Sequence, residues 1–287
     1  MTELTRQQKF LKFLFKVMPH HAVSRVVYLI TRLRGPHVRP LIAWFVKRYG
    51  VDMEDAEESE IGYYQTFNEF FTRPLKHGIR PIAGGDDTLA CPCDGVVSQA
   101  GPIRSGAIVQ AKGRGYSVKE LLGGDKQLAK QFADGRFATI YLAPRHYHRL
   151  HMPLDANLVR MIHVPGRLFS VADWTVREIP RLFARNERLA CCFDSAAGPF
   201  VMVLVGAINV SAIETVWSGQ VVPPRARKIS EYDYSHTHKE ISRGEEMGRF
   251  NMGSTLILLT GDNVEWQPHL APGYELKMGE SIGHFTA

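Results

Sequence analysis

From about residue 60 onward the chain is built from short apolar runs separated by Gly, Pro and Asp, and this texture sets the fold. The runs are Ala90–Val97, Ala107–Val118, Phe137–Leu142, Phe200–Ile208, Asn209–Val216 and Thr255–Leu259. Runs this short, closed by residues that favour turns, have the length of strands rather than helices. Two stretches read as helix, Val118–Leu122 and one around Ala172–Asn186. Strands and helices do not alternate regularly, which argues against a doubly wound parallel sheet. The expected class is α+β, with a β-rich body over residues 61–287 whose antiparallel sheets form a sandwich or barrel-like core. No internal repeat is present.

The first 60 residues have a different character. Residues 1–50 hold ten basic side chains and one acid, Glu3, a net of +9. The remaining residues carry 25 basic against 28 acidic, a net of −3, so the whole-chain value of +6 belongs to the N-terminal segment. A body with no basic excess is a poor partner for nucleic acid. Three amphipathic runs follow one another here: residues 6–18, His21–Leu33 and Arg39–Tyr49. Basic helices carrying Phe and Trp suit an anionic membrane surface, with rings at the headgroup boundary and Lys/Arg near lipid phosphate. The bland alternative is a helical hairpin packed on the body. No apolar run reaches the ~20 residues that span a bilayer, and no secretory signal is evident. The expectation is a membrane-associating segment, residues 1–60, holding the protein peripherally on the cytoplasmic face of the cell membrane. Cys91, Cys93, Cys191 and Cys192 are expected as buried, reduced thiols, because neither pair has the spacing of a zinc knuckle.

Three places combine reactive groups with turn formers: Pro92-Cys-Asp-Gly95, Pro144-Arg-His-Tyr-His-Arg-Leu-His-Met-Pro153, and Gly244–Thr255. The Gly-x-Gly of Lys112-Gly-Arg-Gly-Tyr116 lacks the third glycine of a dinucleotide loop and reads as a turn. His146, His148 and His151 leave three readings open: metal ligands, a general acid/base, or a solvated basic loop. No nearby carboxylate completes a metal set, so no metal is expected. At Gly253–Ser254, the serine hydroxyl can attack the preceding carbonyl if the backbone bends, and glycine removes the Cβ that would obstruct it. The resulting ester can eliminate to dehydroalanine, which hydrolyses to a pyruvoyl group. Gly-Ser alone is common and usually marks a turn.

Here a resemblance enters. GEEMGRFNMGST, Gly244–Thr255, resembles the processing motif of the phosphatidylserine decarboxylases. The likeness extends in order through Phe67–Arg73, Pro92–Val97, Lys112–Ser117, Tyr147–Pro153, Leu168–Val171, Leu182–Arg188 and Val205–Ala207. It implies that Ser254 is the self-processing nucleophile and becomes a covalent pyruvoyl cofactor. Asp94 and His151 resemble the acid and histidine that complete the self-cleavage triad, and His148 the histidine of the decarboxylation step. Cleavage at Gly253–Ser254 would leave a β chain of 1–253 and an α chain of 254–287. These would form a heterodimer, itself expected to assemble as a homo-oligomer. The substrate implied is an anionic phospholipid, phosphatidylserine, bound as a Schiff base and released as phosphatidylethanolamine after loss of CO2.

Three departures from the family pattern stand out. Met252 replaces a leucine of similar volume, Arg243 replaces a common lysine, and His146 stands where many members have aspartate. The last is expected to add positive charge beside His148. Two other readings use the same residues. A lipid-acting serine hydrolase could use Asp94, His151 and Ser254 as a triad, although the Gly-x-Ser-x-Gly elbow is absent. A non-catalytic membrane-surface module would need none of them.

Overall fold

The computed structural model describes residues 18–111, 113–208, 212–222 and 227–286. Apart from Met18, the first amphipathic run lies outside them, as do Lys112 and residues 209–211. The second and third runs form helices α1 (His20–Ile30) and α2 (Val38–Tyr49). Pro40 sits in the first turn of α2, where its missing N–H costs no helical bond. Gly50, at φ 66°, ends the helix in the left-handed region that a side chain disfavours. A short α3 (Phe67–Phe71) starts at Thr66, whose hydroxyl accepts the Glu69 N–H. Val38, Ile42 and Phe45 of α2 pack with Tyr64, Phe67, Phe70 and Phe71 in a small core of their own, which runs across residue 60. Phe45 meets Phe67 edge to face, with ring centres 5.0 Å apart.

The strands that matter for the site are β1 (Gly95–Pro102), β2 (Arg136–Tyr141), β3 (Arg149–His151), β4 (Ala156–Val164), β5 (Arg188–Ser195), β6 (Phe200–Val205), β7 (Glu246–Phe250) and β8 (Thr255–Thr260). A nine-stranded antiparallel sheet runs Ser230–Asp233, β4, β5, β6, β8, β2, β1, Glu275–Leu276, with Lys239–Ile241 also paired to β4. Every residue of β6 and β8 is buried. Both faces are therefore covered, which explains apolar runs without the usual in–out alternation. The α+β, β-rich reading holds.

The sequence runs differ from the strands in detail. Ala107–Val118 is a hairpin, Ala107–Ala111 against Arg114–Ser117, turned through Gly113 at φ 70°. The helix that follows is fixed by a capping box between Ser117 and Glu120. Ala90–Val97 is broken by the turn that carries Asp94, and residues 172–186 form two short helices rather than one.

A second sheet orders Gly219–Val222, Ile213–Thr215, β7 and β3. Residues 251–254 cross from β7 in this sheet to β8 in the main one. The segment singled out for self-processing is thus the connection between two sheets, held at both ends by ladder hydrogen bonds.

Among the described residues no helix is long and apolar enough to cross a membrane. Helix α1 and the residues just after it are tied to the body by side-chain hydrogen bonds. His20 Nδ1 accepts from the Leu168 N–H at 3.2 Å, Tyr28 donates to Gln220 at 2.9 Å, and Arg32 donates to Asn251 at 3.1 Å. Its outer face leaves Val26, Leu29 and Ile30 exposed, with Leu33 just beyond and Trp44 on α2.

Candidate active site

Thr255, the first residue of β8, lies opposite Tyr141 on one side and Val205 on the other. The Leu142 N–H extends that ladder by one bond, donating to the Ser254 carbonyl at 2.9 Å. Ser254 is fully buried and its Oγ has no hydrogen-bond partner; Thr255 Oγ1 has none either. Buried hydroxyls are nearly always paired, so two adjacent orphans mark an unusual place. At Gly253 a Cβ would lie 3.2 Å from the Leu142 carbonyl oxygen and 3.5 Å from His148 Cε1. The glycine keeps both neighbours close to the 253–254 peptide.

His148 closes the other side. Its carbonyl accepts the Phe250 N–H at 3.0 Å, which fixes it beside β7. The ring stacks on Phe71 with centres 4.1 Å apart and planes 20° from parallel. It is fully buried, and neither ring nitrogen makes a well-formed hydrogen bond, the backbone of Ala143 and Pro144 offering only weak ones. Burial, and after it the charge of Arg73, hold His148 well below the usual imidazole range, so the ring is neutral near pH 7.

His151 and Asp94 lie on neighbouring segments, joined by the His151 N–H donating to the Pro92 carbonyl at 2.8 Å. Their side chains have other partners. His151 Nδ1 donates to the Gly244 carbonyl at 2.8 Å, which leaves Nε2 to accept the Tyr147 hydroxyl at 2.9 Å. Burial raises the Tyr147 pKa, keeping that hydroxyl a donor. Asp94 takes both arms of Arg80, at 3.1 and 2.7 Å, and the Met278 N–H at 2.8 Å. The structure therefore brings Gly253, Ser254 and His148 together, and Asp94 and His151 side by side. Among the described residues no hydrogen bond links Asp94, His151 and Ser254.

Sequence reasoning missed several neighbours. Tyr147, Arg80 and Phe71 are set by contacts that no motif spacing reveals. Asn251, two residues before Gly253, is a hub. Its amide donates to Glu214 at 2.9 Å, its Oδ1 accepts from Arg32, and its carbonyl accepts from Asn68 at 3.0 Å. The segment that carries Gly253–Ser254 is thereby fastened to Arg32 just beyond α1, to α3 and to the second sheet at once.

The charge expected at His146 does not arise. Its Nδ1 accepts the Ala143 N–H at 3.0 Å, and burial, with Arg145 nearby, lowers its pKa to about 4. Nor do the three histidines converge: no set of three His, Cys, Asp or Glu among the described residues is grouped to hold a metal. His146, His148 and His151 are all lowered, mainly by burial. Below the ordinary imidazole value of 6.5 the unfolded chain binds more protons than the folded one. The stability these groups contribute is present above that pH and is lost as pH falls toward 4, by on the order of 3 kcal/mol for His146 alone. The urea midpoint is expected to drop between about pH 7 and about pH 4.5, and His146→Asn, which retains an acceptor, should flatten part of the fall. A level profile would contradict this account.

Chemically, a buried hydroxyl beside a glycine carbonyl, with a buried imidazole against that glycine, suits attack of Ser254 on residue 253. The same residues fit a pyruvoyl group at position 254. No partner would be lost when the hydroxyl is consumed, and His148 borders the glycine next to it.

A family model described as phosphatidylserine decarboxylase matches residues 67–284, and a second, described as PSD, matches residues 13–50. The chain is 53% identical over 267 residues to a phosphatidylserine decarboxylase proenzyme of Alkalilimnicola ehrlichii, covering 92% of each chain. It is 48% identical over 272 residues to the proenzyme of Vibrio vulnificus, covering 93% of this chain and 95% of that one. The proenzyme of Methylococcus capsulatus is also 48% identical, over 269 residues and 93% of both chains.

Proposed function

The chain belongs to the phosphatidylserine decarboxylase family, and on that premise we propose that it converts phosphatidylserine to phosphatidylethanolamine and CO2, using a pyruvoyl group made from its own Ser254. The observation that carries the self-processing part is the buried, partnerless Ser254 Oγ beside Gly253 at the crossover between the sheets. In this reading Ser254 Oγ attacks the Gly253 carbonyl and its proton leaves to a base. The displaced amide nitrogen becomes an amine, and an ester joins 253 to 254. Loss of the Ser254 α-proton then expels the Gly253 carboxylate and leaves dehydroalanine, which takes up water and releases ammonia as it becomes pyruvoyl. Asp94 and His151 act as the acid–base pair of cleavage. For Nε2 to accept a proton, the Tyr147 hydroxyl that now occupies it must turn away.

The pyruvoyl group supplies an electron-withdrawing carbonyl that takes up the electron pair left by departing CO2, the part a pyridoxal cofactor plays elsewhere. The remaining tasks fall to the chain. Phe71 holds the His148 ring in one plane, burial keeps water away, and one of the two ring nitrogens of His148 carries the proton returned to the substrate α-carbon. After cleavage, β8 remains between β6 and β2, paired along its length to both, so residues 254–287 stay bound to 1–253 as a heterodimer.

The basic N-terminal segment docks this site on the cytoplasmic face of an anionic membrane, with the exposed Val26, Leu29, Ile30, Leu33 and Trp44 entering the headgroup boundary. Leu29→Asp should weaken binding to phosphatidylglycerol-containing vesicles about tenfold or more while leaving chain cleavage intact; undiminished binding would rule out this surface. The activity is tested by incubating the purified full chain with phosphatidylserine vesicles. CO2 and phosphatidylethanolamine in equal amounts are expected. Release of fatty acid or free serine would assign a hydrolase instead.

A further inference from the structure

A cavity of about 150 Å³ opens beside the candidate site, with Asp94, His146 and Tyr147 in its wall. Its charged groups are mostly matched. Arg80 is held by Asp94 and by Asp55 at 2.8 Å, and Arg145 pairs with Glu275. Lys277, largely in solvent, lies 3.8 Å from Asp94. Arg73 is the exception. Only 3% exposed, it has no ion pair among the described residues. Among the described residues its Nε has no hydrogen-bond partner, its one side-chain hydrogen bond is long, 3.4 Å to the Arg145 carbonyl, and its guanidinium lies over the Phe70 ring, 5.4 Å from the centre, with no anion beside it.

The contrast with Arg188 is instructive. That guanidinium is equally buried without a carboxylate, yet it donates to the carbonyls of Glu120, Leu121 and Asn186 at 2.6 to 2.8 Å. Arg188 is saturated by backbone and serves the fold. A buried, unsaturated cation is costly unless an anion reaches it. Arg73 lines the cavity and follows Phe71, the residue stacked on His148, by two positions; His148 in turn borders Gly253.

We propose that Arg73 holds the phosphodiester of the substrate headgroup and so sets the specificity of the site for a phospholipid. The inference rests on the phosphatidylserine reading above. Two anions are available on that headgroup, and the chemistry separates them. The carboxylate loses its charge as CO2 departs, so a cation paired to it would favour the ground state and slow the reaction. The phosphodiester keeps its charge throughout and lies only a few bonds from the reacting nitrogen. A guanidinium fork suits it.

The test compares a short-chain phosphatidylserine with an O-alkyl serine ether that lacks phosphate, in wild type, Arg73→Gln and Arg73→Lys. Wild-type turnover of phosphatidylserine and chain cleavage in each variant are scored first. Absence of wild-type turnover would fault the proposed phosphatidylserine activity rather than Arg73. In cleaved Arg73→Gln, kcat/KM for the phosphodiester should fall about 10- to 100-fold, mainly through KM, and far less for the ether, so the preference collapses. Arg73→Lys should fall between, and it carries the comparison if the Gln variant is not cleaved. Equal losses on both substrates, or an unchanged preference, would overturn the proposal. Inhibition of wild type by inorganic phosphate as strong as that by glycerophosphoserine would assign the cavity to free phosphate and overturn it likewise.

Discussion

Replacing Ser254 with alanine is expected to leave a single chain of 32.3 kDa with decarboxylation reduced on the order of 10⁴-fold or more, the scale of losing an essential nucleophile. The fold should not suffer. Ser254 Oγ has no hydrogen-bond partner, so its removal orphans no buried group, and stability should stay within about 0.5 kcal/mol of that of the uncleaved chain with serine at 254. Denaturing electrophoresis, a thermal midpoint and CO2 release on the same sample check the three parts together. A cleaved Ser254→Ala chain, or one that still releases CO2, would remove Ser254 from the centre of the mechanism.

The second large effect distinguishes the histidines. His148→Gln should still cleave but decarboxylate about 10²- to 10⁴-fold more slowly, the range for loss of a general acid/base. Glutamine keeps a flat end that can rest on Phe71, which limits the packing loss. His151→Ala should instead remain uncleaved, because the cleavage base is gone. The geometry makes this contrast demanding: His148 borders Gly253, whereas His151 is engaged by Tyr147 and Gly244. If His151→Ala cleaves normally and His148→Gln does not, the two roles exchange. Electrophoresis on both variants, followed by turnover on whichever is cleaved, settles the assignment.

The strand texture was legible in the sequence because each run of buried residues is local. Thr255–Thr260 and Phe200–Val205 announce themselves by composition alone. Their order in the sheet is not local, and nothing in the runs predicts that β8 lies between β6 and β2. Ser254, Gly253 and His148 were singled out by the resemblance, the residues alone leaving the histidines open, and the fold places them side by side. The partners of Asp94 and His151 were not legible. Arg80 lies 14 residues before Asp94, and Met278 lies 184 residues after it. Such bonds depend on the completed fold, as does the neutrality of His146, which follows from burial and the Ala143 N–H rather than from its neighbours in sequence. Arg73 sat inside a recognised motif, yet its missing partners become visible only once every other cation of the cavity has found one.

The central claim is that this chain cuts itself at Gly253–Ser254 and converts the new terminus to a pyruvoyl group. Intact mass of the purified, active protein under denaturing conditions reads both events at once. Two species are expected, residues 1–253 and residues 254–287. The smaller should be lighter by one ammonia than a fragment beginning with serine, and closed to amino-terminal sequencing. A single 32.3 kDa species in protein that decarboxylates phosphatidylserine would contradict it.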